Sequence, residues 1–111
     1  MPFTVESEHR LDHLIMTLAG DLDSLAAPRL KEELDRQAAA VSGLQGLVLH
    51  CENLMYMASG GIRVLFYVKQ RLFPGLKIYV IGAKPMVLDT LKRTGADKDF
   101  LIADASPLPE R

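Results

Sequence analysis

The stretch LVLHCENLMYMASGG, residues 47–61, decides how this chain folds. Its first five residues are mostly apolar, which is typical of a buried strand, and an amphipathic helical pattern follows from Ser59 onward. Ser59 therefore lies where a strand passes into a helix, beside backbone N–H groups that have no partner within the helix. A serine in this place can cap the helix, help to hold an anion or carry a phosphate.

The composition of the 111-residue chain is that of one globular domain with a single hydrophobic core. Hydrophobic residues make up 49% and charged residues 24%, which argues against a disordered chain. The net charge is −1 and no block of Lys or Arg stands out, so nothing indicates a surface for nucleic acid.

The sequence also indicates a cellular compartment. Cys51 is the only cysteine, which excludes an internal disulfide and fits a reducing environment. No apolar run approaches the roughly 20 residues that cross a bilayer, and residues 1–6 lack the pattern of a signal peptide. We therefore expect a cytoplasmic protein with no direct membrane insertion; the sequence leaves its oligomeric state open.

Upstream of the central stretch, the chain predicts an antiparallel hairpin. Residues 3–8 alternate apolar and polar side chains, residues 10–12 offer a turn, and residues 13–19 form a second strand. The turn formers of residues 20–24 are expected to break this strand and to supply caps for a helix from Ala26 to about Ala40. The residues expected on the buried face of this helix are Leu25, Leu30, Leu34 and Val41.

Downstream, strands and helices alternate. A helix over about 59–72 is followed by a strand over 76–82, a helix that opens at Pro85 and a short strand over 99–103. The order ββαβαβαβ predicts an α/β fold, in which a mixed β-sheet begins with an antiparallel hairpin, continues with parallel strands and carries helices packed on it.

Few residues suggest an enzyme. His50 and Cys51 are adjacent, but neighbours on a strand point to opposite faces, so they cannot work as base and nucleophile. Asp21 and Asp23 lie in a GDLD turn, where cap or turn chemistry is favoured over a partner-binding surface and both over catalysis. The histidines lack metal-ligand spacing, so the sequence predicts no metal site, no cofactor and no catalytic residue.

Ser59 is the remaining candidate for a functional residue. Gly60 and Gly61 do not form a nucleotide-binding loop, because the glycine and lysine spacings of those motifs are absent. As a helix cap, Ser59 would contribute about 1 kcal/mol. As a phosphorylated residue it would add negative charge where the helix dipole tolerates it. The spacing alone favours the cap.

The order of elements, the GDLD turn of residues 20–23 and the central stretch together resemble the STAS family of anti-sigma factor antagonists. The resemblance covers about residues 3–103, which we take as one STAS domain followed by a flexible tail, residues 104–111. It implies a binding switch and not an enzyme. In such families the antagonist binds a serine-kinase-type anti-sigma factor, which phosphorylates the antagonist, and a PP2C-type phosphatase removes the phosphate.

By this resemblance, Ser59 aligns with the phosphorylated serine. The residues that match the expected partner-binding surface are Asp21, Asp23, Met57, Ala58, Gly60, Gly61 and Arg63.

The chain departs from the family pattern in three places. Ala58 replaces the usual aspartate, Gly60 replaces a second serine, and the tail is unsuited to the helix with which the family commonly ends. Such a missing helix would leave one face of the sheet less covered. Ala58 keeps an alternative open, in which the chain is a non-switching STAS subunit of a membrane transport complex or another signalling scaffold.

Overall fold

Five strands form one mixed sheet in the order β1-β2-β3-β4-β5, in the computed structural model that describes residues 1–109. The first pair is antiparallel and the others are parallel, so the predicted fold class and element order are confirmed. The strands are β1 (Thr4–Arg10), β2 (His13–Leu22), β3 (Gly46–Met57), β4 (Lys77–Ile81) and β5 (Leu101–Ala103).

Three helices connect the parallel strands. They are α1 (Ala27–Ala40), α2 (Ser59–Tyr67) and α3 (Pro85–Arg93). A π-helical turn, Val68–Leu72, continues α2, and a short 3-10 turn, Ala96–Lys98, precedes β5. No helix within residues 1–109 is long and apolar enough to cross a membrane.

The helices pack on one face of the sheet, which we call the helix face. Alternate strand residues such as Leu47, Leu49 and Cys51 are fully buried there. They form one hydrophobic cluster with apolar residues of all three helices. The helix face therefore holds the main core.

The opposite face, which we call the open face, has a much smaller cluster. Its buried residues are Ile15, Val48 and Ile81, and the half-buried Leu108 packs against them. Part of the predicted tail thus packs on the face that the missing helix was expected to leave less covered or available to a partner. Residues 110–111 of that tail lie outside the described residues, and the division into a domain over 3–103 and a flexible tail stays a prediction.

The predicted break after residue 19 is wrong, because β2 continues to Leu22. The last residues of β2 keep pairing with β3, up to Leu22 opposite Met57, and register shifts accommodate the turn formers. Gly20 has a φ of +82°, and a β-carbon there would lie 2.0 Å from the carbonyl oxygen of Pro2. Glycine is therefore required for the strand to run on past this point.

Two positions predicted on the buried face of α1 are wrong, and one of them, Val41, follows the end of the helix and is only partly buried. Leu25 is 86% exposed, because it lies in the turn before α1 and not on the helix's inward face. Ala26 and Ala27 are buried at this end of α1 instead, while Leu30 and Leu34 are buried as expected. The helix thus meets the core through two small residues before its leucines begin.

Candidate functional site

Ser59 is the first residue of α2, and its side chain is exposed. The predicted capping role is wrong, because the cap position belongs to Ala58, whose extended backbone ends the strand segment. Alanine has no side-chain acceptor, so the start of α2 has no side-chain cap. Within residues 1–109 the Ser59 hydroxyl has no hydrogen-bond partner. The hydroxyl is therefore available for chemistry.

The length of β3 places Ser59 beyond the edge of the sheet. β4 pairs with β3 only as far as His50, whereas β2 accompanies β3 to Met57. The Ala58 amide then donates to the Leu22 carbonyl oxygen at 2.8 Å, which anchors the start of α2 to the end of β2. The carboxyl ends of β2 and β3 thus hold the backbone in place where the chain turns into α2.

Two residues predicted on the contact surface lie beneath it. Met57 is fully buried and Gly61 is buried as well, so their predicted surface position is corrected. A β-carbon on Gly61 would lie 2.7 Å from Leu22 Cδ2 and 3.3 Å from Met57 Cγ. Gly61 therefore lets α2 sit close to the two strand ends, and both residues support the site from below.

Asp21 and Asp23 lie at the same end of the sheet as Ser59, because β2 and β3 run parallel. The Asp23 carboxylate accepts hydrogen bonds from the amides of Leu25 and Ala26 at 3.1 and 2.9 Å, which confirms turn chemistry for Asp23, whereas α1 itself has no side-chain cap. Asp21 Oδ2 lies 2.6 Å from the Met1 ammonium nitrogen. Both carboxylates remain partly exposed at this end of the sheet.

A groove of about 380 Å³ opens between α1 and α2, next to Ser59. Arg63, one helical turn after Ser59, lines it and is exposed. Across the groove, Lys31 donates a hydrogen bond to Asp35 at 2.9 Å, and this bond raises the pKa of Lys31. The complete lining is Ser24, Ala27, Pro28, Lys31, Gly60, Arg63, Val64 and Tyr67.

Sequence reasoning missed most of this groove. Lys31 and Tyr67 are far apart in the chain, yet the Lys31 ammonium lies 4.4 Å from the centre of the Tyr67 ring. The spacing of Lys31 and Asp35 indicates a helical ion pair, but no sequence pattern reveals which helix α1 packs against. Of the groove residues, the sequence identified only Gly60 and Arg63.

The structure separates the two residues that superficially resemble a catalytic pair. Cys51 is buried on the helix face, where burial, reinforced by the nearby Glu52 carboxylate, raises the pKa of its thiol to about 12. His50 is partly exposed, with Nδ1 3.6 Å from Glu52 Oε1. A thiol with such a pKa stays protonated at neutral pH, so Cys51 is a core residue.

Comparison with known proteins agrees with this architecture. A family model of the STAS domain matches residues 4–107. The search of curated proteins found no match.

Among solved structures, an anti-sigma factor antagonist from Mycobacterium paratuberculosis superposes with a TM-score of 0.80 at 20% identity, covering 94% of this chain and 87% of that one. A serine-to-glutamate variant of RsbS from Moorella thermoacetica has a TM-score of 0.70 at 27% identity, with coverage of 92% and 87%. The Bacillus cell fate determinant SpoIIAA in its phosphorylated form has a TM-score of 0.67 at 16% identity, with coverage of 96% and 93%.

Proposed function

The chain belongs to the STAS domain family, and we propose that it acts as an anti-sigma factor antagonist whose binding is switched by phosphorylation of Ser59. Its partners in this proposal are a serine-kinase-type anti-sigma factor, which binds and phosphorylates it, and a PP2C-type phosphatase, which reverses the modification. The protein then acts in the cytoplasm as a binding protein and not as an enzyme.

One observation carries the proposal: the Ser59 hydroxyl is exposed, makes no hydrogen bond within residues 1–109 and lies at the first position of α2. A phosphate added there breaks no existing hydrogen bond, so modification costs the fold little. The unpaired amides and the dipole at the start of the helix favour the new negative charge. The surface that a partner meets nevertheless changes by about −1.5 to −2 charges at neutral pH.

The position of Ser59 also suits a partner-facing switch. Asp21 and Asp23 lie at the same end of the sheet, and the exposed side chains of Met55 and Tyr56 line the last part of β3. An exposed surface that combines apolar and charged side chains is typical of a transient protein contact. Further support comes from two structural neighbours, one solved in a phosphorylated form and one carrying glutamate in place of a serine.

The test is binding to a kinase-type anti-sigma factor from the same organism, measured by calorimetry. We expect Ser59→Asp to weaken the complex by at least about tenfold, or about 1.4 kcal/mol, and Ser59→Ala to bind like the unmodified protein. Ser42→Asp is the matched control, because Ser42 is also exposed but lies before β3. Equal affinity for the three variants and the unmodified protein would refute the switch.

Phosphorylation itself is tested separately. Incubation with the same kinase and ATP is expected to add one phosphate to the unmodified protein and none to Ser59→Ala, as read by intact mass. Incorporation that persists in Ser59→Ala would place the modified residue elsewhere.

A second candidate function rests on Ala58. Without a carboxylate at this position, a kinase has no acidic group beside Ser59 on its N-terminal side, which favours a non-switching STAS subunit of a transport complex or signalling scaffold. This alternative predicts that protein purified from cells carries no phosphate on Ser59 and co-purifies with the components of such an assembly. Mass spectrometry of the purified material separates the two functions.

A further inference from the structure

The groove between α1 and α2 has an apolar floor and a basic rim. Ala27, Pro28 and Val64 supply apolar surface, while Lys31 and Arg63 stand on opposite helices. None of the residues that line the groove is acidic. A segment that combines an apolar side chain with a carboxylate would therefore meet complementary chemistry here.

The two cations differ in how far their charge is already compensated. Lys31 pairs with Asp35 at 2.9 Å and lies over the Tyr67 ring, and the Tyr67 hydroxyl in turn donates to Asp35 at 2.7 Å. The Arg63 guanidinium, by contrast, has no hydrogen bond or ion pair within residues 1–109. Arg63 is therefore the groove cation that is free to take an incoming anion.

Gly60 shapes the space around that guanidinium. A β-carbon on Gly60 would lie 3.5 Å from Ala27 Cβ and 3.7 Å from Arg63 Nη2, so the Arg63 side chain folds back over the first turn of α2. Residues four apart on a helix lie on the same side, which brings Arg63 within the range of an anion on Ser59.

We propose that Arg63 is shared between two anions: a carboxylate of the partner's acidic, apolar segment in the groove, and the phosphate on Ser59. This inference rests on the proposed function and supplies its mechanism. In the unmodified protein, Arg63 binds the partner's carboxylate. After phosphorylation, the phosphate on Ser59 lies one helical turn from Arg63 and forms an ion pair with its guanidinium. The partner's carboxylate then loses its ion pair with Arg63 and also meets the negative charge of the phosphate.

The phosphate half of the proposal is tested without any partner. Phosphoserine is incorporated at position 59 during translation, and the phosphate is titrated by ³¹P NMR. A paired guanidinium favours the dianion, so Arg63→Ala is expected to raise the pH at which the phosphate titrates, and Arg63→Lys to preserve part of the effect. Arg71→Ala is the control, since Arg71 is exposed and lies two turns further on. Identical titrations for Arg63→Ala and the parent protein would overturn the sharing.

The partner half is tested by a double-mutant cycle with the same anti-sigma factor. Arg63→Ala is expected to weaken binding of the unmodified protein about tenfold, and Ser59→Asp to cost less in the Arg63→Ala background than in the parent. If Ser59→Asp weakens binding equally in the parent and in Arg63→Ala, Arg63 is not shared between the two anions, while regulation of binding by charge at Ser59 still holds. A Ser59→Asp variant that binds as well as the parent would instead overturn the switch itself. No loss of binding in Arg63→Ala would refute the acidic segment in the groove.

Discussion

The two faces of the sheet are covered in very different ways. On the helix face, three helices bury alternate residues along the strands in one large cluster. On the open face, only Ile15, Val48 and Ile81 are buried within the described chain, and Leu108 of the C-terminal segment covers them. The same strands thus contribute to a deep core on one side and to a shallow apolar patch on the other.

This difference separates stability from recognition. The helix face requires close packing, because a missing methylene there leaves a cavity that its neighbours cannot fill. Ser59, Arg63 and the groove lie at the rim of that face, on helices whose other sides are fixed by the core. The groove is therefore built from elements that the core holds in place, while the small cluster of the open face is packed only by the partly buried Tyr79 and Leu108 within the described residues.

Substitutions in adjacent residues of β3 give the largest expected effect. Leu49→Ala on the helix face is expected to lower the free energy of unfolding by about 2–5 kcal/mol, because Leu49 is fully buried in the main cluster. Val48 is also fully buried, but Val48→Ala removes fewer atoms and these come from a much smaller cluster, so it should cost less. Urea denaturation of both variants measures the difference, and equal losses would contradict the asymmetry of the faces.

The edge of the helix face nearest β1 is expected to carry an acid-sensitive contribution. Burial alone would raise the pKa of Glu33, but hydrogen bonds from Ser7, Arg36 and Gln37 outweigh it and lower that pKa below the usual 4.5. A lowered folded-state pKa stabilises the protein above the unfolded-state value, and this stabilisation is lost as pH falls through the folded-state pKa.

We therefore expect Glu33→Gln to cost about 1–2 kcal/mol at pH 7 and to reduce the loss of stability on acidification. Denaturation curves at neutral and acidic pH measure both effects. Glu32→Gln is the control, since Glu32 is the exposed neighbour on the same helix. If the free energy of unfolding falls on acidification as much in Glu33→Gln as in the parent protein, the hydrogen bonds of Glu33 contribute nothing to the pH dependence of stability.

The smallest effect is expected on the open face. Leu108→Ala should lower the free energy of unfolding by about 1 kcal/mol or less, because Leu108 is only half-buried. It should also speed hydrogen exchange in the surroundings of Ile15, Val48 and Ile81 without altering exchange in α1 or α2. If exchange in the helices rises equally, the two faces are coupled more tightly than the packing indicates.

The fold class and element order could be predicted from the sequence because each buried strand and amphipathic helix has its own local pattern. The full length of β3 could not. After Cys51 its buried residues are Leu54 and Met57, three residues apart instead of two. This spacing arises from shifts in register against β2, where β3 advances from residue 50 to 57 while β2 advances only from 17 to 22.

At the candidate site, the sequence located the helix start and the two carboxylates, but it chose the wrong cap residue and placed the buried Met57 and Gly61 on the surface. It assigned the cap position to Ser59, because a serine before a helical pattern is the usual cap, whereas Ser59 is already the first residue of α2 and the extended Ala58 holds the cap position. It missed Lys31 and Tyr67, since the approach of α1 to α2 is a tertiary contact. Local patterns therefore identify Ser59 better than the groove beside it.

The irregular second half of β3 bears on the transfer of this segment into other proteins. A regular strand could be exchanged residue for residue, but residues 51–57 are shaped by the particular bends of β2 beside them. A designer who grafts the serine and its helix onto another sheet would need to move residues 17–22 together with residues 51–63. The start of α2 that carries Ser59 therefore depends on both β2 and β3, and the short segment around the serine cannot be transferred without them.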